Sequence, residues 1–98
     1  MTYELAFDRR ALKEWRKLDE TLRRQFKARL EKILEQPRVE AHRLRGFPDC
    51  YRIKLRQSGY RLVYQVQDQR VTVFVVAIGK RDRSQAYDLA SQRLDNDI

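Results

Sequence analysis

Cationic side chains alternate with apolar ones in one short segment of this chain. Between residues 51 and 56, the cations are Arg52, Lys54 and Arg56. Successive side chains of a β-strand point to opposite faces of the sheet, so this pattern predicts one apolar face and one cationic face. A polar turn follows at 57–59, and the next strand adds Arg61. Because aligned like charges repel, the cationic face indicates an anionic ligand such as a phosphodiester backbone. An ordinary solvated outer face is the alternative interpretation.

Cleavage of RNA by its own 2′-hydroxyl is one reaction that such a face could support. That hydroxyl must lose a proton, the negative charge on phosphorus must be stabilised, and the 5′-oxygen must gain a proton. Histidine and glutamate are common carriers for such proton transfers. The single histidine, His42, falls in a predicted basic loop over 38–49 rather than on the cationic face. We therefore expect His42 to be a surface residue.

Composition narrows the class of protein. The chain has 98 residues, and 22 Lys and Arg against 14 Asp and Glu give a formal net charge of +8. This length predicts a single domain over 1–98, and the charge favours a nucleic acid or an anionic surface as partner. There is no apolar run near the roughly 20 residues that cross a bilayer, and no signal-peptide pattern. Cys50 is the single cysteine. It suits a reducing compartment and is expected to pack in the core. We expect a cytoplasmic protein that does not bind membranes.

Hydrophobic periodicity predicts the element order β-α-α-β-β-β-α. A strand is expected near 3–7, and two helices follow it, the first capped by Asp8 and the second by Asp19 or Thr21. The second helix should end before Pro37. Further strands are expected at about 50–56, 60–66 and 71–78, and a short helix at about 84–94, capped by Asp82 or Ser84. These elements predict an α+β fold in which an antiparallel sheet packs against a helical hairpin. The apolar strand at 71–78 should be covered on both faces.

The chain resembles the RelE family of bacterial toxins. The resemblance is carried by five segments in order along the chain, at residues 10–18, 44–46, 48–51, 58–66 and 79–81. Members of that family are ribosome-dependent mRNA endoribonucleases of toxin–antitoxin pairs, and their fold is a small sheet against a helical hairpin. The resemblance therefore implies a type II toxin that cleaves mRNA in the ribosomal A site and inhibits translation.

The same resemblance marks candidate catalytic residues. It assigns Lys54 and Arg61 on the hairpin, Arg81 after the last strand, and Tyr87 at the start of the final helix. Arg52 replaces a lysine of the family's founding member. Arginine can bind a phosphate but is a poor proton shuttle. If this position must transfer a proton, Arg52 should make the reaction slower. If it only binds the phosphate, the replacement should change little. Lys54 and Tyr87 remain as proton carriers. Which is acid and which is base, or whether Tyr87 only stacks, also stays open.

Further cations are expected to bind the RNA backbone. These are Arg43, Arg45, Arg56, Lys80 and Arg83. The acidic residues are scattered along the chain, so we expect neither a metal nor another cofactor. Lys54 and Tyr87 are weak acid–base groups, so correct placement of the RNA should supply much of the rate. This agrees with the family's dependence on the ribosome, which holds the mRNA in place.

The expected partners are a RelB-like antitoxin, the 70S ribosome with its mRNA, and operator DNA only through the antitoxin complex. The final helix has a sparse apolar stripe, so its docking should be marginal, and the antitoxin should inhibit by displacing it. A non-catalytic nucleic-acid-binding protein or co-repressor is the alternative function. A gyrase inhibitor, as in the related ParE group, is a weaker alternative because such relatives generally lack the full residue set.

Overall fold

The computed structural model describes residues 2–80 and 85–96. Its elements follow the predicted order. They are β1 (Glu4–Phe7), α1 (Arg9–Lys17), α2 (Glu20–Glu35), β2 (Cys50–Leu55), β3 (Tyr60–Gln67), β4 (Thr72–Lys80) and α3 (Gln85–Asn96). Short 3-10 turns lie at Glu40–His42 and Asp68–Arg70. The α+β class and the element order are confirmed.

Aspartates begin both helices of the hairpin. The Asp8 carboxylate accepts a hydrogen bond from the Arg10 backbone N–H at 2.8 Å, and Asp19 accepts one from Leu22 at 2.9 Å. These bonds satisfy backbone donors that the first turn leaves free. The second helix ends at Glu35, ahead of Pro37, as predicted. Within the described ranges, none of the helices combines the length and apolar character that crossing a membrane requires.

The four strands form one sheet in the order β1-β4-β3-β2. The β2–β3 and β3–β4 pairs are antiparallel, as predicted. The first strand lies parallel to β4, from Glu4 opposite Thr72 to Phe7 opposite Val75. The prediction of an antiparallel sheet is therefore wrong for this pair of strands. The parallel arrangement is possible because the helical hairpin and two strands separate β1 from β4, so no tight turn joins them.

Helices cover both faces of the sheet. The hairpin buries one face in a core that includes Phe26, Leu30 and Tyr64. The opposite face packs on α3 in a smaller cluster. Its fully buried members include Cys50, Val63, Ala77, Ala86 and Ala90. As predicted, β4 contributes to both clusters. The cations of β2 therefore share a face with α3.

Candidate functional site

The predicted cationic face lies on β2 and β3, beside α3. Lys54 is directly opposite Arg61, and Arg52 is opposite Val63. All three cations are partly exposed. The structure thus brings the two hairpin cations of the predicted site, Lys54 and Arg61, into one neighbouring pair.

Arg56 lies in the turn after β2 rather than on the strand. The strand ends at Leu55, whose carbonyl accepts the Gly59 N–H at 2.9 Å, and the φ of Gly59 is +78°. The alternating pattern overran the strand by one residue because the turn closes there. Arg56 still lines a surface cavity of about 340 Å³ together with Lys54, Tyr60 and Arg61.

Lys80 lies beside this cavity. It pairs with Tyr60 across the β3–β4 ladder, and its Nζ is 5.7 Å from the centre of the Tyr60 ring. Its side chain is exposed. The predicted RNA-binding residues Arg56 and Lys80 therefore lie near Lys54 and Arg61 at the same end of the sheet.

Tyr87 on α3 contacts Arg61 on β3. The guanidinium Nη1 of Arg61 donates a hydrogen bond to the Tyr87 hydroxyl oxygen at 3.1 Å, and its central carbon is 5.3 Å from the ring centre. The Arg61 guanidinium thus both bonds and stacks on Tyr87. Residues 26 positions apart in the chain are joined at the cationic face, as the predicted site requires.

Arg52 is partly exposed, but one of its guanidinium donors is buried. Among the described residues, its Nε is a buried nitrogen without a hydrogen-bond partner. Buried guanidinium donors are normally satisfied. Because this nitrogen has no exposed surface, an external ligand reaches only the other donors of the Arg52 guanidinium.

The remaining predicted residues lie elsewhere or outside the described ranges. Arg43 and Arg45 are exposed in the loop before β2, where the Arg43 guanidinium stacks 5.8 Å from the ring centre of Tyr51. They are not among the residues that line the Lys54–Arg61 cavity. His42 is half-buried in the 3-10 turn of that loop. Arg81 and Arg83, with the proposed caps Asp82 and Ser84, lie outside the described residues.

A partly buried ion pair between α1 and α3 was not predicted from the sequence. The carboxylate of Glu14 on α1 accepts two hydrogen bonds from Arg93 on α3, both at 2.9 Å. Arg93 also donates to the Val76 carbonyl at 2.8 Å, and Glu14 accepts from the Ile78 N–H at 3.1 Å. Arg93 is 6% exposed. The sequence did contain a signal for the burial of these two residues, because each charged residue lies beside the apolar stripe of its helix.

Close backbone packing also fixes the start of α3. A Cβ atom built on Gly79 would lie 3.0 Å from the backbone nitrogen of Ala86. The Lys80 N–H donates to the Gln85 side-chain oxygen at 3.2 Å. The end of β4 and the first turn of α3 therefore touch without room for a side chain.

Cys50 is fully buried, which confirms that it packs in the core. Burial raises the pKa of its thiol to about 12, so it remains protonated at neutral pH. In the part of the chain that the structure describes, no three His, Cys, Asp or Glu side chains cluster in a way that could hold a metal ion.

Comparisons with known proteins give consistent matches. The family profile described as the ParE toxin of the type II toxin–antitoxin system, parDE, matches residues 5–85. The chain is 62% identical to the mRNA interferase toxin RelE of Escherichia coli (strain K12), over 96% of this chain and 99% of that protein. It is 51% identical to a RelE-like toxin protein, also of Escherichia coli, over the same shares.

Solved structures give the same result. A double arginine-to-alanine mutant of the E. coli toxin RelE, in the free state, has a TM-score of 0.89 at 60% identity. That match covers 96% of this chain and 99% of the mutant. The toxin of the intact E. coli RelBE toxin–antitoxin complex has a TM-score of 0.80 at 64% identity, over 83% of this chain and 99% of that chain.

Proposed function

Since this chain belongs to the RelE and ParE family of toxins from type II toxin–antitoxin systems, we propose that it cleaves mRNA in the ribosomal A site and so inhibits translation. The observation that carries this proposal is the cluster of Lys54, Arg61 and Tyr87 beside the cavity on the cationic face. The cluster lies in a chain that is 62% identical to an mRNA interferase toxin.

The cluster supplies the groups that cleavage by the 2′-hydroxyl needs. In this reaction the 2′-oxygen attacks phosphorus, the bond from phosphorus to the 5′-oxygen breaks, and that oxygen takes a proton. Arg61 has guanidinium donors besides the one bonded to Tyr87, and these can bind the phosphate as its charge grows. Lys54 and Tyr87 can each carry one of the two protons. Arg52 and Arg81 complete the proposed phosphate site.

The proposed ribosome dependence is supported by what lines the cavity. Among the described residues, its lining contains neither a histidine nor a carboxylate. Lysine and tyrosine are weaker proton carriers at neutral pH, so correct placement of the RNA must supply much of the rate. A ribosome that holds the codon in place would provide it. Arg56 and Lys80 would contact the neighbouring phosphates of the RNA. Such backbone contacts do not depend on the base sequence.

A RelB-like antitoxin is the proposed partner. The support is the match to the toxin of the RelBE complex and the formal net charge of +8, which an acidic segment would complement. We propose that the antitoxin removes α3 from the sheet and takes Tyr87 away from Arg61. Hydrogen exchange of the free protein and of the complex tests this mechanism. If exchange over residues 85–96 becomes slower on antitoxin binding and α3 stays packed on the sheet, displacement is wrong. The antitoxin would then inhibit by covering the site.

Primer extension on mRNA from a translation extract tests the function. The wild-type protein should produce new 5′ ends within codons, and Arg61→Ala should lower the cleavage rate about 10²- to 10³-fold. Arg70→Ala is the matched control. It removes the same charge from the 3-10 turn at the opposite end of β3.

Absence of cleavage by the folded wild type would reject the nuclease. Antitoxin-dependent binding of operator DNA under the same conditions would then favour a co-repressor, and inhibition of DNA supercoiling would favour a gyrase inhibitor.

A further inference from the structure

The Glu14–Arg93 pair lies where the sheet has an open edge. The pairing of β1 with β4 ends at Val75, so the Val76 carbonyl and the Ile78 N–H lie beyond the end of β1. Arg93 bonds that carbonyl and Glu14 bonds that N–H. Backbone groups in such a place need partners. The ion pair is therefore bonded to β4 at Val76 and Ile78, and it holds α3 at that position along the strand.

Backbone packing at Gly79 fixes the first turn of α3, but the apolar contacts along the rest of the helix are poorly suited to fixing its rotation. Its fully buried apolar side chains are Ala86 and Ala90. Small side chains allow close approach, but they interlock weakly with the facing surface. Arg93 instead makes three directed hydrogen bonds at 2.8–2.9 Å. These bonds are directional, so they specify both the depth and the rotation of the helix.

We propose that Glu14 and Arg93 are positioning residues that hold Tyr87 against Arg61. Arg93 is six residues after Tyr87 on the same helix, so a shift at Arg93 is carried to Tyr87 by about 9 Å of continuous α-helix. Glu14 acts from α1, without touching the cationic face. The effect on RNA cleavage rests on the function proposed above, whereas the effect on the Arg61–Tyr87 contact does not.

Glu14→Gln is the central test. The amide keeps the shape of the side chain but leaves one oxygen for the two Arg93 nitrogens and removes the charge that pairs with buried Arg93. We expect kcat for cleavage of ribosome-bound mRNA to fall about 10- to 100-fold with little change in KM, because the catalytic geometry is lost but the RNA-binding cations remain. Glu20→Gln is the matched control. It makes the same change in the exposed Glu20–Arg24 pair of α2.

A double-mutant cycle separates positioning from general stability. If Glu14 acts through Tyr87, then adding Glu14→Gln to Tyr87→Phe should lower the remaining cleavage by less than about two-fold. If Glu14 only stabilises the fold, the two losses should multiply. Multiplied losses in folded variants would overturn the proposal.

The contact itself can be followed without any cleavage assay. In the free protein, Glu14→Gln and Arg93→Lys should weaken the NMR contact between Arg61 and the Tyr87 ring and speed hydrogen exchange in α3, while exchange in β2 and β3 stays as in the wild type. Arg93→Lys keeps the charge but loses the two-pronged geometry. An unchanged Arg61–Tyr87 contact would reject the positioning role, and so would global unfolding of both variants. Lack of cleavage by the wild type would instead reject the proposed function and leave this comparison valid.

Discussion

The hydrogen bond from Arg61 to the Tyr87 hydroxyl is the most specific contact of the candidate site. It orients a group that can take part in proton transfer. The Arg61 guanidinium also lies over the Tyr87 ring, an arrangement that does not need the hydroxyl. Hydrogen bonding and stacking can therefore be separated by one substitution.

Tyr87→Phe should lower the rate of ribosome-dependent cleavage about 10²-fold or more. The ring and its stacking on Arg61 are kept, while the hydroxyl that could carry a proton is lost. Single-turnover primer extension with saturating protein measures the effect, and circular dichroism checks the fold. Tyr60→Phe, in the neighbouring cavity wall, is a control for loss of a hydroxyl. Wild-type cleavage by Tyr87→Phe would limit Tyr87 to stacking.

At the scale of elements, α3 is placed by backbone contact as well as by side chains. The first turn of α3 touches Gly79 closely enough that a Cβ atom there would lie 3.0 Å from the Ala86 nitrogen and 3.1 Å from the Gln85 side chain. Backbone cannot move aside as a flexible side chain can. The glycine therefore sets how closely α3 can approach the end of β4.

Gly79→Ala should push the first turn of α3 away from β4. We expect a loss of about 1–3 kcal/mol in the free energy of unfolding, and a fall in cleavage because Tyr87 lies in that turn. Urea unfolding and primer extension measure the two effects. Unaltered cleavage would mean that the site tolerates this displacement.

Gly46→Ala is the matched control for this substitution. The φ of Gly46 is +81° and nothing lies within 4 Å of a Cβ built there. It should therefore cost about 1–2 kcal/mol of backbone strain and leave cleavage unchanged.

Local sequence signals were sufficient for most of the elements and for part of the site. Asp8 and Asp19 begin helices because capping depends on near neighbours. The position of Lys54 opposite Arg61 follows from strand alternation and one turn. Tyr87 was marked as a candidate site residue by the family resemblance and not by periodicity, and its contact with Arg61 was not predicted. Arg56 was misplaced because alternation alone does not show where a strand stops.

Long-range features were beyond these local signals. The parallel pairing of β1 with β4 joins residues more than 60 positions apart, and the Glu14–Arg93 pair joins residues 79 apart. Neither partner specifies the other by spacing. The expectation that α3 docks only marginally stays a prediction, and the Glu14–Arg93 pair bears on it. Its apolar stripe is sparse, as predicted, but a buried arginine adds bonds that a count of apolar residues does not include.

For the whole molecule, acid should destabilise the fold. The Arg10 guanidinium hydrogen-bonds Asp8 and lowers the pKa of that carboxyl, and hydrogen bonds from Tyr3 and Arg38 lower the pKa of Asp68. A lowered folded-state pKa gives stability that is present above the unfolded value near 4 and lost as pH falls through the folded value. Protonation of acids also adds to the net charge of +8.

The free energy of unfolding should therefore fall steeply below about pH 4. Urea unfolding between pH 2 and pH 7 measures the slope, and Asp8→Asn and Asp68→Asn should each flatten it. A slope that neither substitution changes would place the acid sensitivity on other carboxyls.

Substrate presentation is also a property of the whole molecule. Free RNA with the same codon should be cleaved at least about 10³-fold more slowly than mRNA on the ribosome, because the cavity holds no histidine or carboxylate among its described lining residues. A fluorescent oligonucleotide compared with a stalled ribosomal complex at equal RNA concentration would measure the ratio. Comparable rates would mean that the protein organises its substrate unaided.

On the proposed function, the packing of α3 on the sheet sets when a newly synthesised chain becomes active. Synthesis and domain folding proceed from the N-terminus, so Lys54 and Arg61 are made before Tyr87 and Arg93. A nascent chain that lacks α3 carries the cations of the sheet, but it has neither the Tyr87 hydroxyl that bonds Arg61 nor the Arg93 guanidinium that pairs with Glu14. On the proposed function, the ribosome that makes this protein is therefore not attacked by its own product until α3 has been translated and has packed on the sheet.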